Sequence, residues 1–308
     1  MPLDPQAQAV IDMIEQLGVA ELNDDTDPNE IRALMNAAVL PSGIELASVT
    51  DREIPGPGGP VPVRVYRPAG DAPKPVIVYF HGGGWVLGSL GTHDGTCRRL
   101  ADGADAVVVS VDYRMGPEDR FPAAVDDSFA ALTWVAAHAD ELGGDAARLV
   151  VAGDSAGGNL AAVMSQLARD HGGPSIRFQL LVYPVTDHEF TSVSMEENAT
   201  GYYLTRDAMR WFYGHYLNDP AEGDDPRVSP LRAADLAALP PAFVLTAQYD
   251  PLRDQGIAYA DALRVAGNEV AMTMYEGLFH GFFSMFDLID AGKAAFDDAI
   301  AAVVGAVA

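Results

Sequence analysis

One cysteine, Cys97, is all the thiol chemistry this chain holds, so an internal disulfide is excluded and a reducing compartment is expected. Lysine is nearly as scarce. Lys74 and Lys293 are the only two, and 19 basic residues stand against 44 acidic ones for a formal net charge of −25. A field of that sign repels phosphate backbones and anionic membrane surfaces, which excludes nucleic acid as a partner and favours neutral or cationic ligands. No apolar run approaches the roughly 18 residues of a membrane helix. The opening Met-Pro-Leu-Asp-Pro-Gln lacks the basic and apolar segments of a secretory leader, so a cytoplasmic location without membrane insertion is expected. Neither H-E-x-x-H nor a comparable cluster of histidines and carboxylates occurs, and no metal or cofactor is implied.

What is present is 308 residues, 49% of them hydrophobic, enough for a sizeable core. Val10, Ile11, Ile14 and Leu17 recur at helical spacing before a stop at Gly18. Asp27-Pro28-Asn29-Glu30 then reads as a capped start for a second helix with Ile31, Leu34, Met35 and Ala38 on one face. After Val49 the pattern turns to short apolar strands: one from Val61 that ends at Pro68, then Pro75 to Phe80, Ala106 to Tyr113, Arg148 to Ala152, Phe178 to Val185, Ala242 to Thr246 and Val270 to Tyr275. Helices are predicted over Thr92–Leu100, Ala123–Leu142, Ala156–Arg169, Asp254–Ala266 and Asp290–Val304. Repeated β-α units of this kind make an α/β fold whose mostly parallel sheet is covered by helices on both faces. The stretch between Val185 and Ser229 breaks the rhythm with an aromatic helix, Thr205 to Leu217. Its Trp211, Phe212 and Tyr216 fit either a core or a lid with an apolar pocket.

The chemistry begins at Gly153-Asp154-Ser155-Ala156-Gly157, a G-x-S-x-G placed where a predicted strand meets a predicted helix. Glycines on either side permit a tight turn that lifts the serine hydroxyl above the sheet. A serine hydroxyl needs a base, and the base needs a group that fixes its tautomer. In this architecture the acid and then the histidine follow on loops after later strands. Asp250 stands just beyond one such strand and His280 just beyond the next. Asp254 is the weaker acid candidate because it reads as a helix start. His138 and His171 sit at helix ends, His188 and His215 in the aromatic segment, and His93 near a helix start, one turn before Cys97. Acyl transfer also needs donors for the oxyanion, and His81-Gly82-Gly83-Gly84-Trp85 supplies backbone N–H groups free of side-chain bulk. No lysine follows that run, so it is no phosphate cradle. His81 reads as a loop brace.

With these motifs in order, the chain resembles the hormone-sensitive-lipase-like family of α/β-hydrolase esterases, in its G-D-S-A-G branch. The likeness covers about Val61 to Phe283 and includes Asp112-Tyr113-Arg114, Pro117-Glu118, Phe121 to Asp127, Tyr183-Pro184, Ser229-Pro230-Leu231, Asp250 to Asp254 and His280-Gly281-Phe282. The resemblance implies an eight-stranded sheet and a helical cap. The N-terminal helices (residues 1–50) and an insert (186–228) would form that cap over a core of residues 51–185 and 229–308. Carried over, Ser155, Asp250 and His280 form the triad, and Gly83, Gly84 and Ala156 the oxyanion hole. Trp85, Tyr183, Trp211 and Phe212 are the expected substrate-binding residues. Gln248 and Gln255 depart from glutamates that the family often has, Met115-Gly116 from Leu-Ala, and Asp119-Arg120 is unusual. The glutamines would remove a carboxylate near the triad and alter pH dependence.

The expected function is a metal-independent carboxylesterase for short- to medium-chain acyl esters. An amidase or formamidase on the same triad remains open, as does a non-catalytic receptor like that for gibberellin in plants, which resembles the family yet lacks the catalytic histidine. The partner is a small-molecule ester, and a homodimer is left open by the resemblance. The acidic surface adds an expectation of tolerance to salt, because screening relieves self-repulsion. Melting temperature and activity should hold or rise as salt is added; a steady fall in both would contradict salt adaptation.

Overall fold

The computed structural model describes residues 1–16, 22–23 and 25–308. Two helices, α1 (Pro5–Gln16) and α2 (Pro28–Ala37), precede β1 (Ser48–Ile54), β2 (Val61–Arg67) and β3 (Lys74–Phe80). Then follow α3 (Asp94–Gly103), β4 (Val107–Val111), α4 (Ala123–Ala137), β5 (Gly144–Asp154), α5 (Ala156–His171) and β6 (Phe178–Val182). Short α6 (Val193–Glu197) and α7 (Arg206–Tyr216) come before β7 (Ala242–Tyr249), α8 (Arg253–Val265), β8 (Val270–Phe279) and α9 (Asp290–Val307). The stop predicted at Leu17 and Gly18 lies outside the described residues. Asp27 caps α2 by accepting the Asn29 N–H, and Thr205 caps α7 by accepting that of Ala208.

Among the described residues the strands form one eight-stranded sheet in the order β1-β2-β4-β3-β5-β6-β7-β8. β2 is antiparallel to β1 and β4, and every pairing from β4 to β8 is parallel. The sequence pattern shows seven of these strands. The eighth, β1, is an edge strand exposed over most of its length, so it carries no apolar alternation to read. Along β3 the period of two is plain: Val76, Val78 and Phe80 enter one core with Leu160 and Tyr259, while Ile77 and Tyr79 enter the other with Leu100 and Phe296. Burial on both faces is why the strand reads as an unbroken apolar run.

Two helices differ from expectation. The helix predicted to Leu142 ends at Ala137, where His138 donates its Nδ1–H to the Trp134 carbonyl and Gly143 then turns left-handed at φ 76°. On α2, Ile31 and Met35 pack against the core but Leu34 is 63% exposed, so the apolar stripe is narrower than the spacing suggests.

The loop from β4 to α4 is fastened from two sides. The Arg114 N–H and guanidinium donate to buried Asp127 of α4. Arg120 donates to the Gly214 and Leu217 carbonyls at the end of α7, and Phe121 N–H donates to Tyr216 O at 2.8 Å. A methyl group at Gly116 would overlap the His215 carbonyl. Two departures from the family pattern, Gly116 and Arg120, thus serve one contact, the seating of α7. Asp127→Ala leaves the partly exposed Arg114 only its longer contact to Asp119, at 3.3 Å, and is expected to cost about 2 kcal/mol of stability. Chemical denaturation measures this, and an unchanged midpoint would mean that α7 alone holds the loop.

Candidate active site

β5 ends at Asp154 and α5 begins at Ala156, so Ser155 makes the turn alone, at φ 56°. Left-handed backbone is costly for a residue with a Cβ and persists only where the surroundings enforce it. Here they do. A methyl group at Gly157 would overlap the Phe80 carbonyl, and one at Gly153 would overlap the Gly157 backbone. The motif's glycines therefore exist because β3, β5 and α5 converge at one point. Ser155 N–H donates to Val182 O at 2.9 Å, which fixes the turn against β6.

The partners arrive by sheet register. Tyr249 of β7 is paired with Phe279 of β8, so the next residues, Asp250 and His280, leave the sheet side by side. His280 Nδ1 lies 2.7 Å from Asp250 Oδ2, and its Nε2 lies 3.0 Å from Ser155 Oγ. A carboxylate on Nδ1 holds the neutral ring's proton there, which leaves Nε2 to accept from the serine hydroxyl. Asp250 is fully buried, and its other oxygen accepts the Leu252 N–H at 2.8 Å. Asp254 instead accepts from Ser194 and Arg253, away from the histidine. Gln248 bridges the Gly277 N–H and the Met1 carbonyl, one as acceptor and one as donor, which a carboxylate could not do. Gln255 accepts the N–H groups of Thr186 and Asp187.

Asp154, inside the motif, joins this line to the glycine run. Its Oδ1 accepts Tyr79 O–H at 2.6 Å and Gly82 N–H at 3.1 Å, and lies 3.4 Å from His93 Nε2. Burial opposes the charge, but His93 and the hydrogen bonds from His93 and Tyr79 outweigh it and hold the carboxyl below its ordinary value. With the Gly82 amide committed, the oxyanion expectation falls on the next two glycines, both left-handed (φ 114° at Gly83, 60° at Gly84). The Phe212 ring fills the space a side chain at Gly84 would need. His81 braces this loop: its Nδ1–H donates to Gly82 O at 2.8 Å, and its own carbonyl accepts Tyr113 O–H at 2.6 Å. His93 faces Asp154 rather than pairing with Cys97, whose thiol burial pushes up beyond useful reactivity.

The family model described as the alpha/beta hydrolase fold matches residues 77–284. The chain belongs to the hormone-sensitive-lipase-like α/β-hydrolases. It is 44% identical over 309 residues to carboxylic ester hydrolase LipN of Mycobacterium tuberculosis, which covers 98% of this chain and 82% of that one. Ethyl acetate hydrolase of Pseudomonas putida is 41% identical over 254 residues, 81% of this chain and 79% of that one. Among solved structures, a hyperthermophilic esterase from the archaeon Pyrobaculum calidifontis superposes with a TM-score of 0.93 at 42% identity, over 100% of each chain.

In this α/β-hydrolase the serine, histidine and glycine run open into a cavity of about 320 Å³. Tyr183 and Phe212 line it as expected, and Tyr183 packs on His280 at 4.4 Å between ring centroids. Trp85 and Trp211 do not. Trp85 is buried beneath the loop and stacked on Tyr216 at 4.3 Å, and Trp211 packs on His215. Both fill core behind the wall, which residue type alone does not distinguish from the wall itself. Unanticipated lining comes from His93, Tyr203, Leu204 and Met285, none carrying a local motif, and further lining from Ile11, Ile14, Ile31 and Met35 of the first two helices, which the resemblance assigns to the cap. Among the described residues no group of three or more histidine, cysteine or acidic side chains is placed to hold a metal ion.

Burial, with the charge of His93 second, lowers the His81 ring from 6.5 to about 4. An unfolded chain takes up this proton near 6.5 and the folded one only near 4, so the stabilisation is complete above 6.5 and is lost as pH falls through that interval. The full loss is about 3 kcal/mol. His81→Gln should therefore show a shallower decline between pH 7 and 5 in urea unfolding; parallel declines would place the ring's titration elsewhere.

Proposed function

We propose that this chain hydrolyses carboxylic esters through an acyl-enzyme. Ser155 Oγ attacks the ester carbonyl while His280 Nε2 takes the hydroxyl proton, and Asp250 orients the ring and stabilises its cationic form. The proton passes to the leaving alcohol, and water then attacks the acyl-enzyme with His280 again as base. The N–H groups of Gly83, Gly84 and Ala156 receive the developing alkoxide, each such donor being worth about 2.7–4 kcal/mol in the transition state. The observation that carries this reading is the unbroken line of 3.0 and 2.7 Å contacts from Ser155 to Asp250 at the floor of an apolar cavity.

The relatives' names, a carboxylic ester hydrolase and an ethyl acetate hydrolase, support an ester over an amide. The presence of His280 in line with Ser155 speaks against a receptor. In this reading the N-terminal helices and residues 186–228 are the cap, and Ile31, Met35, Leu204 and Phe212, which line the cavity with Ser155 and His280, support it. A cavity near the lower end of the usual range for small ligands, roughly 300–1,000 Å³, suits short and medium acyl chains. A small-molecule ester as partner and a cytoplasmic location complete the reading, and no helix among the described residues is long and apolar enough to cross a membrane.

Nitrophenyl esters from two-carbon to sixteen-carbon acyl groups test it. Rates should peak among the shorter chains, fall about 10⁵–10⁶-fold in Ser155→Ala, and fall about 10⁴-fold in Asp250→Asn with folding intact. Equal rates in Ser155→Ala and wild type would remove the serine from the mechanism.

A further inference from the structure

Helix α2 gives two side chains, Ile31 and Met35, to the cavity wall. Four residues apart, they share a face, and Arg32 leaves the helix about 100° further round. Its side chain is 18% exposed, and its guanidinium reaches three residues of the loops after β3 and β4. Nε donates to the Val86 carbonyl at 2.8 Å and Nη2 to the Gly116 carbonyl at 2.6 Å. Nη1 and Nη2 each meet one Glu118 carboxylate oxygen at 2.9 Å. Nη1 also reaches Asn29 Oδ1 of its own helix at 3.2 Å, which stiffens the arm.

Val86 is held from the other side as well. Its N–H donates to Gly83 O at 3.1 Å, the Leu87 N–H donates to the same carbonyl at 2.7 Å, and Gly116 N–H donates to Trp85 O at 2.9 Å. One side chain therefore registers a wall of the cavity directly on the turn that carries Gly83 and Gly84. That turn keeps supports of its own, through Gly82 to Asp154 and through the buried stack of Trp85 on Tyr216. Among the described residues the other side-chain tie of α2 to this region is weaker: Ser89 Oγ donates to Asn36 Oδ1 at 2.8 Å on the exposed side. With those supports on the turn, α2 is the part expected to move when the guanidinium is lost.

We infer that Arg32 is a positioning residue that sets substrate length: it latches α2 to the oxyanion loop through Val86, Gly116 and Glu118, and so fixes the distance from the reacting carbonyl to Ile31 and Met35. This rests on the ester-hydrolase reading. An ester chain too short to touch α2 does not sense the latch, and a longer one does. Lysine cannot replace it, because one ammonium on a flexible stem cannot hold two carbonyls and a bidentate carboxylate in this geometry.

The test compares wild type, Arg32→Ala and Glu118→Gln on two series of esters, one varied in the acyl chain and one in the alcohol. In the series whose chain reaches α2, Arg32→Ala should lose about tenfold or more in kcat/KM for six- to eight-carbon chains, carried by KM, and less than about threefold for the two-carbon ester. Glu118→Gln keeps the Val86 and Gly116 contacts and should shift the profile the same way by less. Chymotrypsin should cut after Leu34 about tenfold faster in Arg32→Ala, with the sheet region intact, because α2 opens locally. Equal losses on every ester, or an unchanged length profile in both series, would overturn the latch. Should Arg32→Ala fail to fold, an unchanged profile in Glu118→Gln overturns it instead. Wild-type protein inactive on all these esters would overturn the ester-hydrolase reading, and the proteolysis would still report on the latch.

Discussion

Asp154 carries its carboxylate out of water beside the turn at Ser155, and Tyr79, Gly82 and His93 supply what the solvent would otherwise give. A buried charge without such partners costs several kcal/mol, so these three are held to it and it to them. Tyr79 lies on β3, Gly82 just beyond that strand, His93 just before α3, and Asp154 at the end of β5. One ionised group thus joins the turn at Ser155 to the glycine run after β3, and the spacing between them follows from its hydrogen bonds.

Steric exclusion completes what that charge begins. Gly153 and Gly157 are pressed against Phe80 and each other, and Gly84 against Phe212, so the site is built from backbones nearer to one another than side chains permit. Such contact leaves the serine a single conformation. It also brings the segment between β6 and β7 down to the loop it covers, where Arg120 and Gly116 receive α7. Three histidines share this small volume in different roles. His280 faces a carboxylate and a hydroxyl, His93 faces a second carboxylate, and His81, buried with backbone partners, stays neutral.

The acidic composition shapes the surface rather than the site. Most of the arginines are engaged with aspartate or glutamate in partly exposed pairs such as Arg64 with Asp51 and Arg99 with Asp297. Pairs of this kind are each worth about 1 kcal/mol or less and weaken with salt. With 44 acidic groups and 19 basic ones, carboxylates far outnumber the cations that could pair with them. The polar contacts that fix the site are short, buried and few by comparison.

The sequence alone determined the elements whose signals are local. Strands buried on both faces read as apolar runs, the cap of the second helix read as Asp27, and the turn at Ser155 read as glycine, serine, glycine between a strand and a helix. Chain order pointed to Asp250 and His280 because each follows a predicted strand, and the register of β7 on β8 then sets them abreast. The tertiary structure alone decided the surroundings. The edge strand β1 has no buried face to pattern its residues, and Trp85 and Trp211 are aromatic in composition but core in position. The cavity walls from α1 and α2, the Asp154 cluster and the Arg32 contacts join residues far apart in the chain. Local pattern reports which face of an element is apolar; what that face meets is settled only when the elements pack.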